Sequence, residues 1–354
     1  MNSTPSARTT SARAASSAAA AGVPAGSRLG QAGPDAAVTS RWASACSQIR
    51  AQLTADDAVP GRRCLQLCLA LAWLLDAALQ YQPFMFRPSF VTTIIEPAVA
   101  GNPGLVTSTA GWASQLMLHQ VALSNAVFAT IQLVIAVGLL CRRTVRPALV
   151  LSICWALAIW WLGEGMGGVL TGLSPLAGVP GAALLYALIA ILVWPSPPGP
   201  AGRTTSVAGA GPAGGTAAKI AWLAVWGCLA HYLLLPANRA PEAISQVLSD
   251  TDGQPRWLAA VLRGLSEAAA HHGPEISVVL AVLCVGIGLA LLARSLVRPA
   301  LVLAAALGIM LFIAQGLGGI LTGQGTDPGT GPLLILLAAC YLPRRARQPA
   351  PGLS

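Results

Sequence analysis

The amino-acid sequence predicts an all-α membrane protein with about eight transmembrane helices, arranged as two tandem, parallel four-helix repeats. Of its 354 residues, 55% are hydrophobic and only 9% are charged, and the mean hydropathy is +0.66. Because a soluble domain is about 25% charged, this composition is typical of a membrane protein. Eight apolar runs and a six-residue string that occurs twice complete the prediction.

The apolar runs predict the helices. Most of them approach the ~20 residues that cross a bilayer as a helix, since each residue adds ~1.5 Å and the hydrocarbon core is ~30 Å thick. We expect the short last run either to be extended by its flanks or to be buried against its neighbours. The runs are residues 64–82, 119–141, 147–162, 180–194, 220–235, 276–293, 299–316 and 332–342.

The distribution of positive charge predicts the orientation. If all eight runs cross, all but four of the 21 Lys and Arg residues lie on one side of the membrane; the exceptions are Arg87, Arg239, Arg256 and Arg263. Lys and Arg concentrate in cytoplasmic loops, so both termini are predicted to be cytoplasmic, in a plasma or bacterial inner membrane. The net charge of +9 is scattered along the edges of the apolar runs. The expected partner is therefore the lipid bilayer and not nucleic acid.

The repeated string predicts an internal duplication. VRPALV occurs at 145–150 and again at 297–302. Each unit would have an even number of crossings, so both copies would insert the same way up, as parallel repeats. Two further pairs of strings recur in the same order at nearly the same spacing: GNP at 101–103 with GQP at 253–255, and GGVLTG at 167–172 with GGILTG at 318–323.

The composition of the remaining segments predicts the domain boundaries. The first residues are rich in Ala, Ser, Thr and Gly and lack the apolar region of a signal peptide, and the run from Pro195 to Gly215 has the composition of a flexible linker. The predicted segments are a disordered cytoplasmic tail (1–62), a first four-helix repeat (63–195), a Pro/Gly/Ala-rich cytoplasmic linker (196–218), a second four-helix repeat (219–343) and a basic cytoplasmic tail (344–354).

Polar residues within the apolar runs of the first repeat form the candidate intramembrane site. Such residues are costly in hydrocarbon and usually face a bundle interior or a water-filled cavity. Residues four or seven apart share one helix face, so Asp76 lies on the same face as Gln80, and Asn125 on the same face as Gln132. The alternatives are that the carboxylates are interfacial and that the amides are contacts between helices. The candidates are Asp76, Gln80, Asn125, Gln132 and Glu164, which the repeat aligns with Leu229, Leu233, Ser277, Cys284 and Gln315.

Two histidines are weaker candidates. His119 and His271 coincide across the repeat, each before the second helix of its unit. A proton-transfer or metal role is the alternative, but no cluster of Cys or carboxylate residues stands nearby at ligand spacing, so we expect interfacial histidines. The sequence contains no recognisable catalytic, metal-binding or cofactor-binding motif, and we identify no cofactor.

Two stretches carry a resemblance to known families. The run WLLDAALQYQPFMF at 73–86, a long outer segment, and RRTVRPALVLSICWALAIWWLGEGMGG at 142–168 resemble a family of largely uncharacterised bacterial multi-pass membrane proteins. The four-helix unit with its long first outer loop is similar in architecture to the DoxX-like family. That similarity implies membrane redox work, including quinone-linked thiosulfate oxidation, and a membrane or redox protein as partner.

Three functional classes remain open at the level of sequence. A structural or assembly-related membrane protein ranks first, because no catalytic motif points to an enzyme. A DoxX-like subunit of a quinone-linked redox complex ranks second. A small-solute or proton-coupled transporter ranks third, since its site is expected near the membrane midplane, where only Gln132 is well placed.

Overall fold

The computed structural model describes residues 60–196, called here the first half, and 206–343, the second half. Throughout these two ranges the regular structure is helical, with no β-strand, in agreement with the predicted all-α class. Residues 1–59 and 344–354 of the predicted tails, and residues 197–205 of the predicted linker, lie outside the described residues.

The first half begins with a long helix and continues through several short ones. Its α-helices are α1 (Pro60–Leu79), α2 (Pro88–Phe90), α3 (Glu96–Val99), α4 (Gly104–His119), α5 (Val121–Leu140), α6 (Val145–Leu162) and α7 (Ala182–Leu192). Its other helical turns are 3-10 at Pro83–Phe86, Gly165–Gly168 and Pro175–Ala177, and π at Val91–Ile95.

The second half has a similar succession of elements. Its α-helices are α8 (Gly214–Leu233), α9 (Ala243–Ser249), α10 (Arg256–Ala269), α11 (Gly273–Ala290), α12 (Val297–Ala314) and α13 (Thr330–Cys340), with 3-10 turns at Pro236–Arg239 and Gly316–Gly319. Helices α6 and α12 have 18 residues each, and α7 and α13 have 11 each. In each half the first long helix packs on the helix before the VRPALV string, α1 on α5 and α8 on α11.

The turns that follow α6 and α12 share an unusual backbone. Met166 and Leu317, each the second residue of its 3-10 turn, have φ of 59° and 56°. A non-glycine residue in this left-handed region costs ~1–2 kcal/mol, so the surrounding contacts must hold both turns in place.

Among the described residues, four helices are long and apolar enough to cross a membrane: α5, α6, α11 and α12. These are fewer than the eight predicted crossings, and the reasons differ among the other four helices. Helices α1 and α8 have 20 residues each, but α1 carries Arg62, Arg63 and Asp76, and the apolar run of α8 is interrupted by Lys219 and His231. Helices α7 and α13, with 11 residues each, extend only ~17 Å at ~1.5 Å per residue.

The two short apolar helices form the centre of the molecule. Helices α7 and α13 contact each other, and both also contact α1. Most of their residues are buried, and the less buried residues lie on one face of each helix: Leu184, Leu188 and Ile191 of α7, and Pro332, Ile335, Leu336 and Ala339 of α13. A helix that is apolar all round is typical of a protein core or of a membrane span, and here neighbouring helices cover most of each one. One hydrophobic core therefore runs through both halves.

Part of the predicted linker is packed, which corrects the expectation of a flexible segment over 196–218. Val207 and Ala208 are fully buried, and the Ala208 N–H donates to the carbonyl of Cys340 at 2.9 Å. The Arg62 guanidinium donates to the carbonyl of Ala210 at 2.9 Å. Burial of the Val-Ala pair outweighs the flexible composition around it, and α8 begins at Gly214, before the predicted boundary.

Candidate functional site

A cavity of about 960 Å³ lies in the first half, between α1, α4, α5, α6 and α7. Most of its lining is apolar or aromatic, including Trp73, Phe128 and Trp155. The second half adds Gln315 at the end of α12, Thr326 and Asp327 in the segment before α13, and Thr330 at the start of α13. The cavity is therefore built mainly by the first half and completed by the second.

The cavity brings together most of the polar residues that the sequence singled out. Asp76, Gln80, Gln132 and Glu164 all line it. Asp76 is 2% exposed, Gln132 3% and Gln80 5%. Within residues 60–196 and 206–343, one side-chain oxygen of each of these four residues is buried and has no hydrogen-bond partner: Asp76 Oδ1, Gln80 Oε1, Gln132 Oε1 and Glu164 Oε2.

Asn125 has a different place. It does not line the cavity, and its side-chain amide donates to the carbonyl of Gln80 at 2.7 Å, which ties α5 to the end of α1. Ser277, its counterpart in the second half, donates to the carbonyl of Asn238 at 2.8 Å. Both residues are contacts between helices, the alternative that the sequence left open for Asn125.

The Asp76 carboxyl faces Tyr186 of α7. The Tyr186 ring packs on Trp73 with a centroid distance of 4.3 Å, and Trp73 Nε1 donates to Ser152 Oγ at 2.9 Å. The Tyr186 hydroxyl lies near the carboxyl but, among the described residues, completes no hydrogen bond of good geometry. Asp76 and Tyr186 thus present buried polar atoms to the cavity while aromatic packing fixes their positions.

Glu164 holds the start of α7. Its Oε1 accepts from the N–H of Ala183 at 3.0 Å, one of the four helix N–H groups that have no partner within the helix. Gly181 makes room for this contact, since a Cβ there would lie 2.3 Å from Glu164 Oε2. Gln315 does the same for α13, where its Oε1 accepts from the N–H of Thr330 at 3.1 Å.

The electrostatics favour neutral acids at this end of the cavity. Burial raises the pKa of Glu164 to about 8, and repulsion from Asp327 adds to the shift, while the bond from Ala183 opposes it. Burial also raises the pKa of Asp327, against hydrogen bonds from Thr326 and the Gly329 N–H. Those two bonds measure 2.8 and 2.7 Å. Glu164 is therefore mostly protonated at neutral pH.

Sequence reasoning missed two members of the site, Asp327 and Tyr186. A Pro-Gly pair precedes each 11-residue helix, and aligning these pairs would have set Asp327 opposite Val179. Tyr186 has the only polar side chain within α7, AALLYALIAIL. A buried tyrosine hydroxyl usually finds a partner, so its isolation in that run was a usable signal.

The structure separates the two histidines. His119 ends α4 and lines the cavity from an exposed position. His271 is 84% exposed at its side chain, has φ of 64°, and places Nδ1 2.6 Å from Oε1 of Glu242. In the part of the chain that is described, no three or more His, Cys, Asp or Glu side chains are placed to hold a metal ion.

The cavity opens between α4 and α5. Four apolar residues line it and are also exposed at the molecular surface: Trp112 and Leu116 of α4, at 68% and 57%, and Leu123 and Val127 of α5, at 59% and 46%. Helix α5 is one of the four that could cross a membrane. If it does, this opening faces the hydrocarbon of the bilayer.

Comparison with protein-family models, with curated proteins and with solved structures finds no match to this chain. The resemblance to bacterial multi-pass proteins and the DoxX-like architecture therefore stay predictions from sequence.

Proposed function

We propose that this protein is an integral protein of the plasma membrane that binds a small, mostly apolar molecule in the cavity of its first half. The observation that carries the proposal is the set of buried side-chain oxygens, on Asp76, Gln80 and Gln132, that face an apolar cavity without a partner. A buried polar group without a partner costs ~1–3 kcal/mol, and a polar group on a ligand would recover part of that cost.

The size of the cavity supports the same proposal. Its volume of about 960 Å³ is within the range of roughly 300–1,000 Å³ that is common for small-molecule sites. A structural or assembly role, which the sequence ranked first, needs no such cavity. The geometry therefore favours binding over scaffolding.

The proposed topology keeps eight crossings in two parallel units, with both termini in the cytoplasm. The matched succession α5, α6, turn, α7 and α11, α12, turn, α13 supports a duplicated unit. Helices α7 and α13 are short, but most of their residues are buried among neighbouring helices, and non-helical backbone is tolerated at membrane depth where protein buries it. The Gly-rich turns before them complete the two crossings.

Transport of the bound molecule is a function that the position of the cavity, deep in the membrane, favours. Gln132 lies ~17 Å along α5 from Val121, close to the middle of a helix that is ~30 Å long. Transporter sites lie near the membrane midplane, between pseudo-symmetric halves. A cavity that reaches from Glu164 to Gln132 meets that requirement on depth.

A quinone-linked redox subunit is the second candidate. The Tyr186 hydroxyl and Trp155 Nε1, both buried, have no partner among the described residues, and both residues line the cavity. A quinone is an apolar molecule with two carbonyl acceptors, which two such donors suit. In that case the DoxX-like architecture would also imply a redox protein as partner.

The test is direct binding to the full chain in phospholipid nanodiscs, with neutral N-phenyl-1-naphthylamine as a fluorescent probe and empty nanodiscs as the blank. We expect saturable binding to the wild type and at least a tenfold loss in Ala158→Trp, which fills the cavity from α6. Ala122→Trp, on the exposed face of α5, is the matched control and should bind like the wild type.

Gel-filtration profiles establish that each variant is folded. If Ala158→Trp does not fold, Ala113→Trp on α4 replaces it as the variant with a filled cavity. Absence of saturable binding to the wild type, or equal binding to the filled and control variants, would overturn the proposal. Displacement of the probe by decylubiquinone would favour the redox candidate.

A further inference from the structure

The cavity has a strong imbalance of charge. Its lining includes three carboxyl groups, Asp76, Glu164 and Asp327, called here the carboxyl cluster. Among the described residues that line it, none is Lys or Arg, and the one basic side chain is that of His119. A buried carboxylate is normally paired with a base or a cation, and a buried acid without such a partner is favoured in its protonated form.

The carboxyl cluster is assembled from three separate elements. Asp76 comes from α1, Glu164 from the turn after α6, and Asp327 from the segment before α13. The three groups repel one another electrostatically. Asp76 Oδ1 and Glu164 Oε2 have no hydrogen-bond partner among the described residues. Asp76 is almost completely buried, with only 2% of its surface exposed. The second half thus adds a third acid to a site that already held two.

The ligand class follows from these charges and from the aromatic lining. We infer that the cavity binds a hydrophobic cation, such as an aryl- or alkyl-substituted ammonium ion, and that binding releases protons from the carboxyl cluster. The inference rests on the proposed function, and it adds the charge of the ligand and its coupling to protons.

Other ligand classes fit less well. An anion would gain no attraction from protonated acids and would be repelled by any that ionise. A neutral quinone would satisfy Tyr186 and Trp155 but would leave the three acids unpaired. A metal ion needs converging donors, and within the described ranges the acidic side chains are not placed to hold one. A diffuse cation needs no such convergence.

The aromatic side chains of the lining suit a diffuse positive charge. Trp73, Phe128, Trp155 and Tyr186 line the cavity, with Trp73 packed on Tyr186 and Phe128 packed on Trp155 at 5.2 Å between centroids. A cation over an aromatic face gains ~0.5–2 kcal/mol, the more so when it is removed from water. The same rings provide the apolar surface for the body of the ligand.

Proton release follows from the competition between a proton and the cation for the same oxygens. When the cation enters, the carboxyl O–H bond breaks, the proton passes to solvent, and the carboxylate faces the positive charge. The titratable groups that face Glu164 are Asp327 before α13, Asp76 on α1 and Tyr186 on α7, with His119 at the exposed end of α4. The pKa of Glu164, raised to about 8, supports a protonated resting state at neutral pH.

Two ions of the same shape and opposite charge test the inference. In nanodiscs of zwitterionic phosphatidylcholine, we expect tetraphenylphosphonium to bind the wild type saturably and tetraphenylborate to bind no more than to empty nanodiscs. For each proton released, the affinity for the cation should rise by up to about tenfold for every pH unit from pH 6 to pH 8. A pH-indicator dye in weak buffer should record acidification on addition of tetraphenylphosphonium.

Three variants locate the effect. Asp76→Asn and Glu164→Gln should each weaken cation binding at least tenfold at pH 8 and flatten its pH dependence. Glu164→Gln places in the first half the residue that Gln315 supplies in the second, so it is the variant expected to fold without change. Asp252→Asn removes an exposed acid outside the cavity and should bind like the wild type.

The outcomes separate this inference from the proposed function. If neutral N-phenyl-1-naphthylamine binds in the cavity but the phosphonium binds no better than the borate, the cavity is a binding site and the charge assignment is wrong. Cation binding that is unchanged in Asp76→Asn and Glu164→Gln, or that releases no protons, overturns it as well. If none of the probes binds saturably, both proposals fail.

Discussion

Glu164 and Gln315 occupy the same place in the two halves, and each accepts a hydrogen bond from the first turn of the next helix. An amide and a carboxyl serve equally well as acceptors, but only the carboxyl can ionise. The first half thus combines a structural contact with a titratable group. Replacing that group by glutamine separates its structural role from its charge.

The pH dependence of stability should report the titration of Glu164. Its pKa is raised to about 8, so the folded protein favours the neutral acid. The resulting stabilisation is complete below the ordinary pKa of glutamate, near 4.5, and is lost as the pH rises through about 8. We expect the Tm of the wild type in detergent to fall from pH 5 to pH 9, and to fall less in Glu164→Gln.

The matched control for this measurement is Asp252→Asn, which removes an exposed acid and should keep the slope of the wild type. A Tm profile for Glu164→Gln parallel to that of the wild type would show that Glu164 does not titrate in this range.

At the scale of residues, the sequence identified the polar groups that interrupt apolar helices and missed those that the tertiary fold adds. Asp76 and Gln80 share a helix face at a spacing of four, which needs no tertiary information. Asp327 lies in a loop, where a carboxylate is ordinary, and only the contact between the halves places it in the cavity. Its role therefore could not be predicted from spacing within one repeat.

Helices α7 and α13 show why the number of spans is harder to predict than their positions. Their sequences are as apolar as a transmembrane run, but each has only 11 residues, most of which are buried in the protein. Composition alone does not tell a lipid-facing apolar helix from one enclosed by neighbours. The apolar runs predict their approximate positions, and the packing of the two halves determines what surrounds them.

The left-handed turns that precede these two helices should tolerate no added side chain. Gly167 has φ of 60°, and a Cβ there would lie 2.1 Å from the carbonyl oxygen of Pro180. We expect Gly167→Ala to destabilise the fold by at least ~1 kcal/mol, from backbone conformation alone. Thermal unfolding in detergent measures the loss.

Gly104→Ala provides the comparison for that substitution. Gly104 begins α4, and a Cβ there would meet nothing within 4 Å. The Tm of Gly104→Ala should match or exceed that of the wild type, because alanine is a better helix former than glycine. Equal stability of the two alanine variants would mean that the turn at Gly167 adapts to a side chain.

For the whole molecule, two parallel four-helix units fix the side on which each loop appears. In a background from which the eight native cysteines have been removed, Arg143→Cys and Arg294→Cys mark the corresponding hairpins of the two halves. Both should react with an impermeant maleimide only after the cells are permeabilised. Asp252→Cys should react in intact cells.

Reaction of one hairpin cysteine and not the other in intact cells would contradict parallel units, because it would place the two hairpins on opposite sides. Reaction of Asp252→Cys only after permeabilisation would remove a crossing from the second half.

The closure of the cavity by the segment before α13 has a consequence for the history of the chain. Two copies of the first half, assembled as a symmetric dimer, would not reproduce this site, because each would present Val179 where the second half presents Asp327. Likewise, Leu229 and Leu233 leave the second half without the acid and amide that Asp76 and Gln80 provide. Each half now lacks something that the other supplies, so neither could be lost or exchanged for its sister without losing the site.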